Sequence, residues 1–176
     1  MHLSALIHLI EATQALTRCD HVTVLGSAAL LATDATLGEP GAQLELTRDA
    51  DLLLDPCDEA LAALVHEALG EGSLFDQRFG GHVDVLRPDI TATLAAGWAA
   101  RTVPVGGTGA RALAPEDVAA AKLRVGRAKD MELVAYLFAA RTVDADAVAV
   151  LLRTMTWTER EMHQAVRNWG RLAGRK

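Results

Sequence analysis

The sequence predicts an α/β (α+β) fold, in which a mixed, twisted β-sheet is flanked by helices and followed by a C-terminal helical region. Three short runs that are β-branched or alternate apolar with polar side chains predict strands, at residues 21–25, 46–55 and 82–86. The segments between these runs, and the whole last third of the chain, have helical periodicity. We therefore expect a core over residues 1–113 and a helical region packed on it over residues 114–176.

The composition is that of an ordinary folded protein, because 51% of the 176 residues are hydrophobic and 23% are charged. No apolar run approaches the roughly 20 residues that span a bilayer. The N-terminal LSALIHLI runs into Glu11 without a basic segment before it, which indicates an amphipathic helix rather than a signal peptide. Cys19 and Cys57 form no C-x-x-C pair and are expected to be buried thiols. We expect a soluble, cytoplasmic protein with no membrane segment.

The first half of the chain predicts helices and strands in alternation. A helix is expected over residues 3–18, followed by the strand at residues 21–25. Gly26-Ser27 ends that strand before an alanine-rich helix at residues 28–35. After a loop rich in glycine and glutamate, the alternating strand that contains Asp49 and Asp51 ends at Pro56.

The chain after Pro56 predicts one hairpin and a series of helices. Two strands, at residues 73–79 and 82–86, are expected to form the hairpin around Gly80-Gly81. A further strand is predicted near residues 102–105. Pro115 suits the first turn of a helix, and Gly126 is expected to separate two helices. The other helices after Pro56 are predicted at residues 58–69, 91–96, 130–140, 144–153 and 158–172.

The charge is unevenly distributed along the chain. A net charge of −6 opposes nonspecific binding of nucleic acid by the whole surface. Basic residues nevertheless outnumber Glu159 and Glu161 in the last stretch, which contains Arg153, Arg160, Arg167, Arg171, Arg175 and Lys176. A second basic cluster consists of Lys122, Arg124, Arg127 and Lys129. The C-terminal helices are therefore the part of the chain that could guide a phosphate backbone.

Three acidic residues form the strongest candidate site. Asp49 and Asp51, at i and i+2 on a strand, point to the same face and can reach one cation. Asp84 lies between two valines on another strand, which a sheet can place beside the pair. Three carboxylates suit Mg²⁺ or Mn²⁺ bridging a nucleoside triphosphate, because hard cations take oxygen ligands. Alternatively, the Asp-x-Asp pair solvates a sheet edge or caps a turn, and Asp84 is an exposed strand acid.

The turn at Gly26 and Ser27 adds a candidate phosphate site. Between a strand and a helix, its backbone N–H groups and the Ser27 hydroxyl lie where phosphate is favoured. The alternative is that Ser27 is a plain helix N-cap after a flexible glycine.

Taken in order, these segments resemble the nucleotidyltransferase superfamily, whose fold is that of the catalytic core of DNA polymerase β. The resemblance rests on GSAAL at residues 26–30, TRDADLLL at 47–54 and HVDVL at 82–86. It extends to residues 114–137, which look like the lysine-containing helix and R-x-K-D segment of the AbiEii-type nucleotidyltransferases of bacterial toxin–antitoxin systems. The resemblance implies the nucleotidyltransferase fold and metal-dependent transfer of a nucleoside monophosphate, from ATP or another nucleoside triphosphate, to a hydroxyl group.

The resemblance also implies roles for individual residues. Asp49 and Asp51 would hold the metal ions, and Asp84 would complete the metal site and activate the acceptor hydroxyl. Gly26 and Ser27 would contact the terminal phosphates of the nucleotide.

Basic residues would complete the nucleotide site. Lys122 would approach the triphosphate as a point charge, with Lys129 in the same wall. The alternative is that Lys122 and Arg127 belong only to a solvated helix face. Relatives of this type often carry an arginine at the position of Glu45, and Arg48 is the candidate that would replace it.

The acceptor and the biological role stay open. RNA, tRNA in particular, and a hydroxyl of a partner protein are both consistent with the resemblance, and a sugar or antibiotic acceptor is a third possibility. A different class of function is a catalytically weak or inactive antitoxin or regulatory module that binds a cognate protein. The histidines lack the spacing of a zinc site, and only His82 shares the predicted face of Asp84. Trp157 and Trp169 are expected to be packing residues.

Overall fold

A computed structural model describes residues 1–174 and divides the chain into two compact units. The sheet unit comprises Met1–Pro88 and Thr102–Leu113, and the helical unit comprises Asp89–Arg101 and the chain from Ala114 onward. Residues 89–101 are predicted to belong to the core, whereas their contacts group them with the helices. The division into domains as such stays a prediction, and Arg175 and Lys176 lie outside the described residues.

The sheet unit is built on five strands in a mixed sheet. The strands are β1 (His21–Val24), β2 (Asp49–Asp55), β3 (His82–Val85), β4 (Val103–Pro104) and β5 (Arg111–Ala112), in the spatial order β3-β2-β1-β5-β4. Strand β2 is antiparallel to β1 and parallel to β3, whereas β5 is parallel to β1 and antiparallel to β4. This arrangement, with its flanking helices, confirms the predicted fold class.

Three α-helices accompany the sheet: α1 (Leu3–Thr17), α2 (Glu59–Leu69) and α3 (Leu74–Phe79). The first two confirm the predicted helices, and Asp58 caps α2 by accepting a hydrogen bond from the amide of Leu61. One face of strands β1 and β2 is apolar and buried, as alternation requires. The core of this unit includes Leu6, Ile10, Val22, Val24, Leu52, Leu54, Val65 and Val83.

The predicted strand at residues 73–79 is wrong, because this segment is helix α3. The Ser73 hydroxyl accepts a hydrogen bond from the amide of Asp76, which begins the helix, and Gly80 ends it in the left-handed conformation at φ +75°. Phe75 and Phe79, one helical turn apart, both lie against the His8 ring, with ring centroids 5.1 and 4.8 Å from it. Gly80 therefore caps a helix instead of turning a hairpin, and β3 pairs with β2.

The predicted helix at residues 28–35 is also wrong in type and extent. Two 3₁₀ segments, Ser27–Ala32 and Ala35–Gly38, replace it. Asp34 separates them, since its carboxylate accepts a hydrogen bond from the amide of Thr36 and begins the second segment.

Of the two cysteines, Cys19 is buried as predicted, whereas Cys57 is only partly buried.

The helical unit contains five α-helices within the described residues: α4 (Trp98–Arg101), α5 (Pro115–Val125), α6 (Ala128–Ala139), α7 (Ala145–Leu152) and α8 (Glu159–Leu172). A 3₁₀ segment at Pro88–Thr93 and the short α4 take the place of the helix predicted at residues 91–96. Gly126, at φ +70°, ends α5 as predicted. Trp157 and Trp169 confirm the packing prediction, because both are partly buried and donate indole hydrogen bonds to backbone carbonyls.

No helix among residues 1–174 combines the length and the apolar character needed to cross a membrane.

Candidate metal centre

The register between β2 and β3 brings the three predicted acids together. Asp51 is paired with Asp84, and Asp49 with His82, across the two parallel strands. One carboxylate oxygen from each of Asp49, Asp51 and Asp84 lies within 4.8 Å of the other two, and all three residues are half-buried. The acids therefore surround a single point in the sheet unit, as the sequence analysis expects.

The pleat of the two strands explains why the acids share a face. Ala50, Leu52 and Val83 are fully buried on the apolar side of the sheet, so their neighbours must point to the other side. A slip of one residue in the pairing of β2 with β3 would bury the aspartates and expose the apolar residues. The free-energy cost of that exchange fixes the register of the two strands. The hydrophobic pattern of β2 and β3 thus aims the acids to one side of the sheet.

The turn after β1 lies directly against Asp51. The amide of Leu25 donates a 2.8 Å hydrogen bond to the carbonyl of Asp51. A Cβ atom at Gly26 would lie 1.9 Å from Oδ2 of Asp51 and 2.9 Å from its Cγ, and Gly26 has φ +60°. The close approach of Asp51 and the positive φ therefore both favour glycine at this position.

This turn differs in one respect from the prediction. Gly26, rather than Ser27, occupies the cap position, so Ser27 is not the N-cap residue that the alternative interpretation requires. Ser27 is half-buried in the first turn of the 3₁₀ segment, next to the residue that touches Asp51.

The donor set fits a hard divalent cation. All three ligand atoms are carboxylate oxygens, the type that Mg²⁺ and Mn²⁺ take, and the cluster contains no thiolate or imidazole. Oxygens about 2.1 Å from a cation are at most about 4.2 Å apart. The three carboxylate oxygens lie within 4.8 Å of one another, which is close to this maximum separation. Small rotations of the side chains therefore allow all three to coordinate one ion.

Arg48 is engaged with Asp76. Its Nη2 donates to Oδ1 of Asp76 at 2.7 Å, and its Nε donates to the carbonyl of Gly80 at 3.2 Å. The Asp76 carboxylate is buried and also accepts a hydrogen bond from the amide of Gly72 at 3.0 Å. A nucleotide contact by Arg48 stays a prediction, and it would compete with this ion pair.

The Asp76 carboxylate predicts a loss of stability at acidic pH. The hydrogen bond from Gly72, followed by Arg48, holds the pKa of Asp76 below its ordinary value of 3.8. A carboxylate with a lowered pKa stabilises the folded state above that ordinary value, and the contribution disappears as the pH falls through the lower folded pKa. We expect Asp76→Asn to reduce the free energy of unfolding, measured in urea, more at pH 7 than at pH 3. The exposed Asp20→Asn is the control, and an equal loss from Asp76→Asn at both pH values would contradict the assignment.

Lys122 is engaged with Asp130 inside the helical unit. Its Nζ lies 3.0 Å from Oδ1 of Asp130, and both residues are buried. Arg127 donates to the other oxygen of Asp130 at 2.7 Å. Lys129 is exposed on α6. The roles of Lys122 and Lys129 toward a nucleotide stay predictions, and the structure gives Lys122 a structural partner that the spacing did not indicate.

Asp76 is a partner of Arg48 that the sequence pattern did not reveal, because residues 73–79 are predicted as a strand. The pattern Ser73-x-x-Asp76 is a capping signature that could have revealed helix α3. His82, which was singled out, is buried, and its Nδ1 lies 3.7 Å from Oδ1 of Asp76 and has no hydrogen-bond partner among residues 1–174. The Glu45 carboxylate accepts a hydrogen bond from the amide of Gly41, four residues earlier in the same loop.

Comparisons with other proteins do not decide the family. The sequence matches no family model, and no curated protein or solved structure is significantly similar to it. The resemblance to nucleotidyltransferases therefore stays a prediction from the sequence motifs.

The close approach of Gly26 to Asp51 leads to a testable result. Gly26→Ala should reduce the free energy of unfolding by about 2–4 kcal/mol, because the new methyl group overlaps the Asp51 carboxylate and strains a left-handed backbone. Gly107→Ala is a matched control, since Gly107 has φ +80° and a Cβ there meets nothing within 4 Å. Urea unfolding of both variants measures the difference, and equal losses would show that the contact with Asp51 has no energetic weight.

Proposed function

We propose that this protein is a metal-dependent nucleotidyltransferase, which transfers a nucleoside monophosphate from a nucleoside triphosphate to a hydroxyl group and releases pyrophosphate. The observation that carries the proposal is the convergence of three carboxylates from β2 and β3 within 4.8 Å, beside the Gly26 turn. Acid clusters are common on protein surfaces. The combination of acids on two paired strands with a glycine turn packed against one of those acids distinguishes this one.

Charge favours a substrate that arrives with its cation. The sheet unit contains 14 aspartates and glutamates but 5 lysines and arginines, so it repels a bare triphosphate. Divalent cations held by Asp49, Asp51 and Asp84 would neutralise the negative charge that develops on the reacting phosphate. We therefore expect nucleotide binding to require a divalent cation.

The chain's own residues have separate tasks in the transfer. Asp49 and Asp51, both on β2, would hold the metal ions. Asp84, on β3, accepts the proton of the acceptor hydroxyl. The hydroxyl oxygen forms a bond to the α-phosphorus as the bond from that phosphorus to the bridging oxygen breaks, and pyrophosphate leaves. Ser27, in the turn beside Asp51, donates its hydroxyl hydrogen to the phosphates.

The position of the label in the nucleotide tests the reaction. The protein is incubated with each nucleoside triphosphate, labelled at either the α- or the γ-phosphate, together with Mg²⁺ or Mn²⁺ and either total RNA or cell lysate. We expect macromolecules to acquire label from the α-labelled nucleotide and not from the γ-labelled one. Label from the γ-phosphate would indicate phosphoryl transfer instead.

Failure of the reaction has its own signature. If no nucleotide, cation or acceptor supports transfer by folded protein, the proposal is wrong. A stable complex with a partner protein under the same conditions would then favour the binding module.

A further inference from the structure

We infer that one face of helix α8 is a binding surface for the phosphate backbone of RNA, and that RNA is therefore the acceptor in the proposed reaction. Only the acceptor assignment rests on the proposed function. Binding of RNA by α8 stands on the charges and contacts of the helical unit alone.

Three arginines define this surface, the arginine stripe of α8. Arg160, Arg167 and Arg171 are all exposed, and at 3.6 residues per turn they lie within about 40° of one another around the helix axis. The stripe extends about 16 Å along the axis, at 1.5 Å per residue. Ala165 and Asn168 are buried on another side of α8, so the arginines face away from the packed side.

Nearby acidic residues do not cancel the stripe. Glu161 caps the start of α8 through Thr158 and lies 3.3 Å from the guanidinium of Arg124, so its charge is already paired. These contacts, led by the hydrogen bond from Thr158, hold the pKa of Glu161 below its usual range, which keeps the pair charged. Glu159 is exposed but lies about 100° away from Arg160 around the helix.

The second basic cluster lies beside the stripe. A Cβ at Gly126 would lie 3.1 Å from Nδ2 of Asn168, so the turn between α5 and α6 lies against α8 one residue from Arg167. This turn is followed by Arg127 and Lys129, both exposed. Asp130 is paired with both Lys122 and Arg127 but carries a single negative charge, so it neutralises only one of them. The second basic cluster therefore keeps a positive charge.

The charge of the whole chain supports RNA as the ligand. Outside the sheet unit, the chain has 12 lysines and arginines and 9 aspartates and glutamates, the opposite balance to the sheet unit. Arginine guanidinium groups form paired hydrogen bonds to phosphate and are the preferred residues for phosphate recognition. A polyanion is therefore attracted to the helical unit and repelled by the sheet unit.

Fluorescence anisotropy with labelled tRNA tests the assignment. Measurements are made in EDTA without nucleotide, over a series of salt concentrations. We expect the variant Arg160→Gln/Arg167→Gln/Arg171→Gln to bind about 10- to 100-fold more weakly than the unchanged protein at low salt, with a salt dependence reduced by about 2 to 3 phosphate contacts. The control variant Arg18→Gln/Arg78→Gln/Arg141→Gln removes the same charge from exposed positions outside α8 and should keep most of the affinity.

Several outcomes would overturn the inference. Equal weakening in both triple variants would mean that only net charge matters, and no binding of tRNA by the unchanged protein at low salt would exclude RNA. If polyglutamate displaces tRNA as effectively as unlabelled RNA does, the surface suits an acidic protein instead. Because binding is measured without cation or nucleotide, it can succeed when transfer fails. If RNA binds but label goes only to protein, the acceptor assignment alone is wrong.

Discussion

Asp49→Asn combined with Asp84→Asn is expected to reduce nucleotidyl transfer at least about 10³-fold, the equivalent of about 4 kcal/mol of lost transition-state stabilisation. The two substitutions remove one carboxylate from each of the paired strands β2 and β3. They leave Asp51, which touches the Gly26 turn, unchanged. Asparagine keeps the shape of the side chain but removes its charge, so the proposed cation site would lose two of its three anionic ligands.

Stability measurements separate this effect from misfolding. Three carboxylates within 4.8 Å repel one another without a cation, so the double variant should be at least as stable as the unchanged protein in EDTA. Mg²⁺ or Mn²⁺ should raise the melting temperature of the unchanged protein and not that of the variant, since only a bound ion stabilises the folded state. Thermal unfolding with and without the cation measures both expectations.

A matched control lies at the far end of β2, beside the start of β1. Asp20→Asn with Asp55→Asn removes two exposed carboxylates, that of Asp55 on β2 and that of Asp20, which precedes its pairing partner His21 on β1. This variant has the same change in net charge and should keep both transfer and the response to the cation. If the control loses transfer to the same degree, general charge rather than the three-acid cluster is responsible, and the proposed metal centre is wrong.

Asp130→Asn is expected to reduce the free energy of unfolding by about 3–5 kcal/mol, because it leaves the buried Lys122 ammonium without its anionic partner. Burial by itself raises the pKa of Asp130, but the hydrogen bonds from Arg127 and Lys122 outweigh it and hold the pKa below its usual range. The carboxylate is therefore charged at neutral pH, and its removal breaks a buried ion pair rather than a neutral contact.

A second substitution should recover much of this loss. Replacing Lys122 with methionine in the Asp130→Asn background removes the unpaired charge and fills similar space. Chemical unfolding of the two single variants and the double variant gives the coupling energy, and simple additivity of the single losses would contradict the pairing. Nucleotide affinity of Lys122→Met, measured where the variant is fully folded, separately tests whether Lys122 also reaches a triphosphate.

Local patterns were sufficient for most helices of the chain. The periodicity of α1 and α2, Pro115 at the start of α5 and Gly126 at its end all predicted helices close to their observed bounds. Such signals act within a few residues, through capping, the helix dipole and an apolar face. They need no knowledge of the rest of the chain.

Segments of mixed signals were predicted wrongly. Residues 73–79 contain two phenylalanines and a leucine, which suggested a strand, yet the cap at Ser73 and the contacts of Phe75 and Phe79 with the His8 ring favour a helix. Those contacts join α3 to α1, far away in sequence, and no local pattern reveals them. The same limitation applies to Arg48, whose ion pair with Asp76 depends on helix α3.

By itself, the sequence determined that Asp49 and Asp51 share one face of a strand, since side chains alternate along a strand and the apolar Ala50 and Leu52 take the other face. Only the tertiary structure decided that Asp84 lies opposite Asp51, that the Gly26 turn touches the Asp51 carboxylate and that Lys122 is paired with Asp130. The physical reason is the distance along the sequence over which each interaction acts. Side-chain direction along a strand follows from local geometry, whereas strand register, close backbone approach and buried ion pairs join residues that are distant in sequence and follow from packing of the whole core.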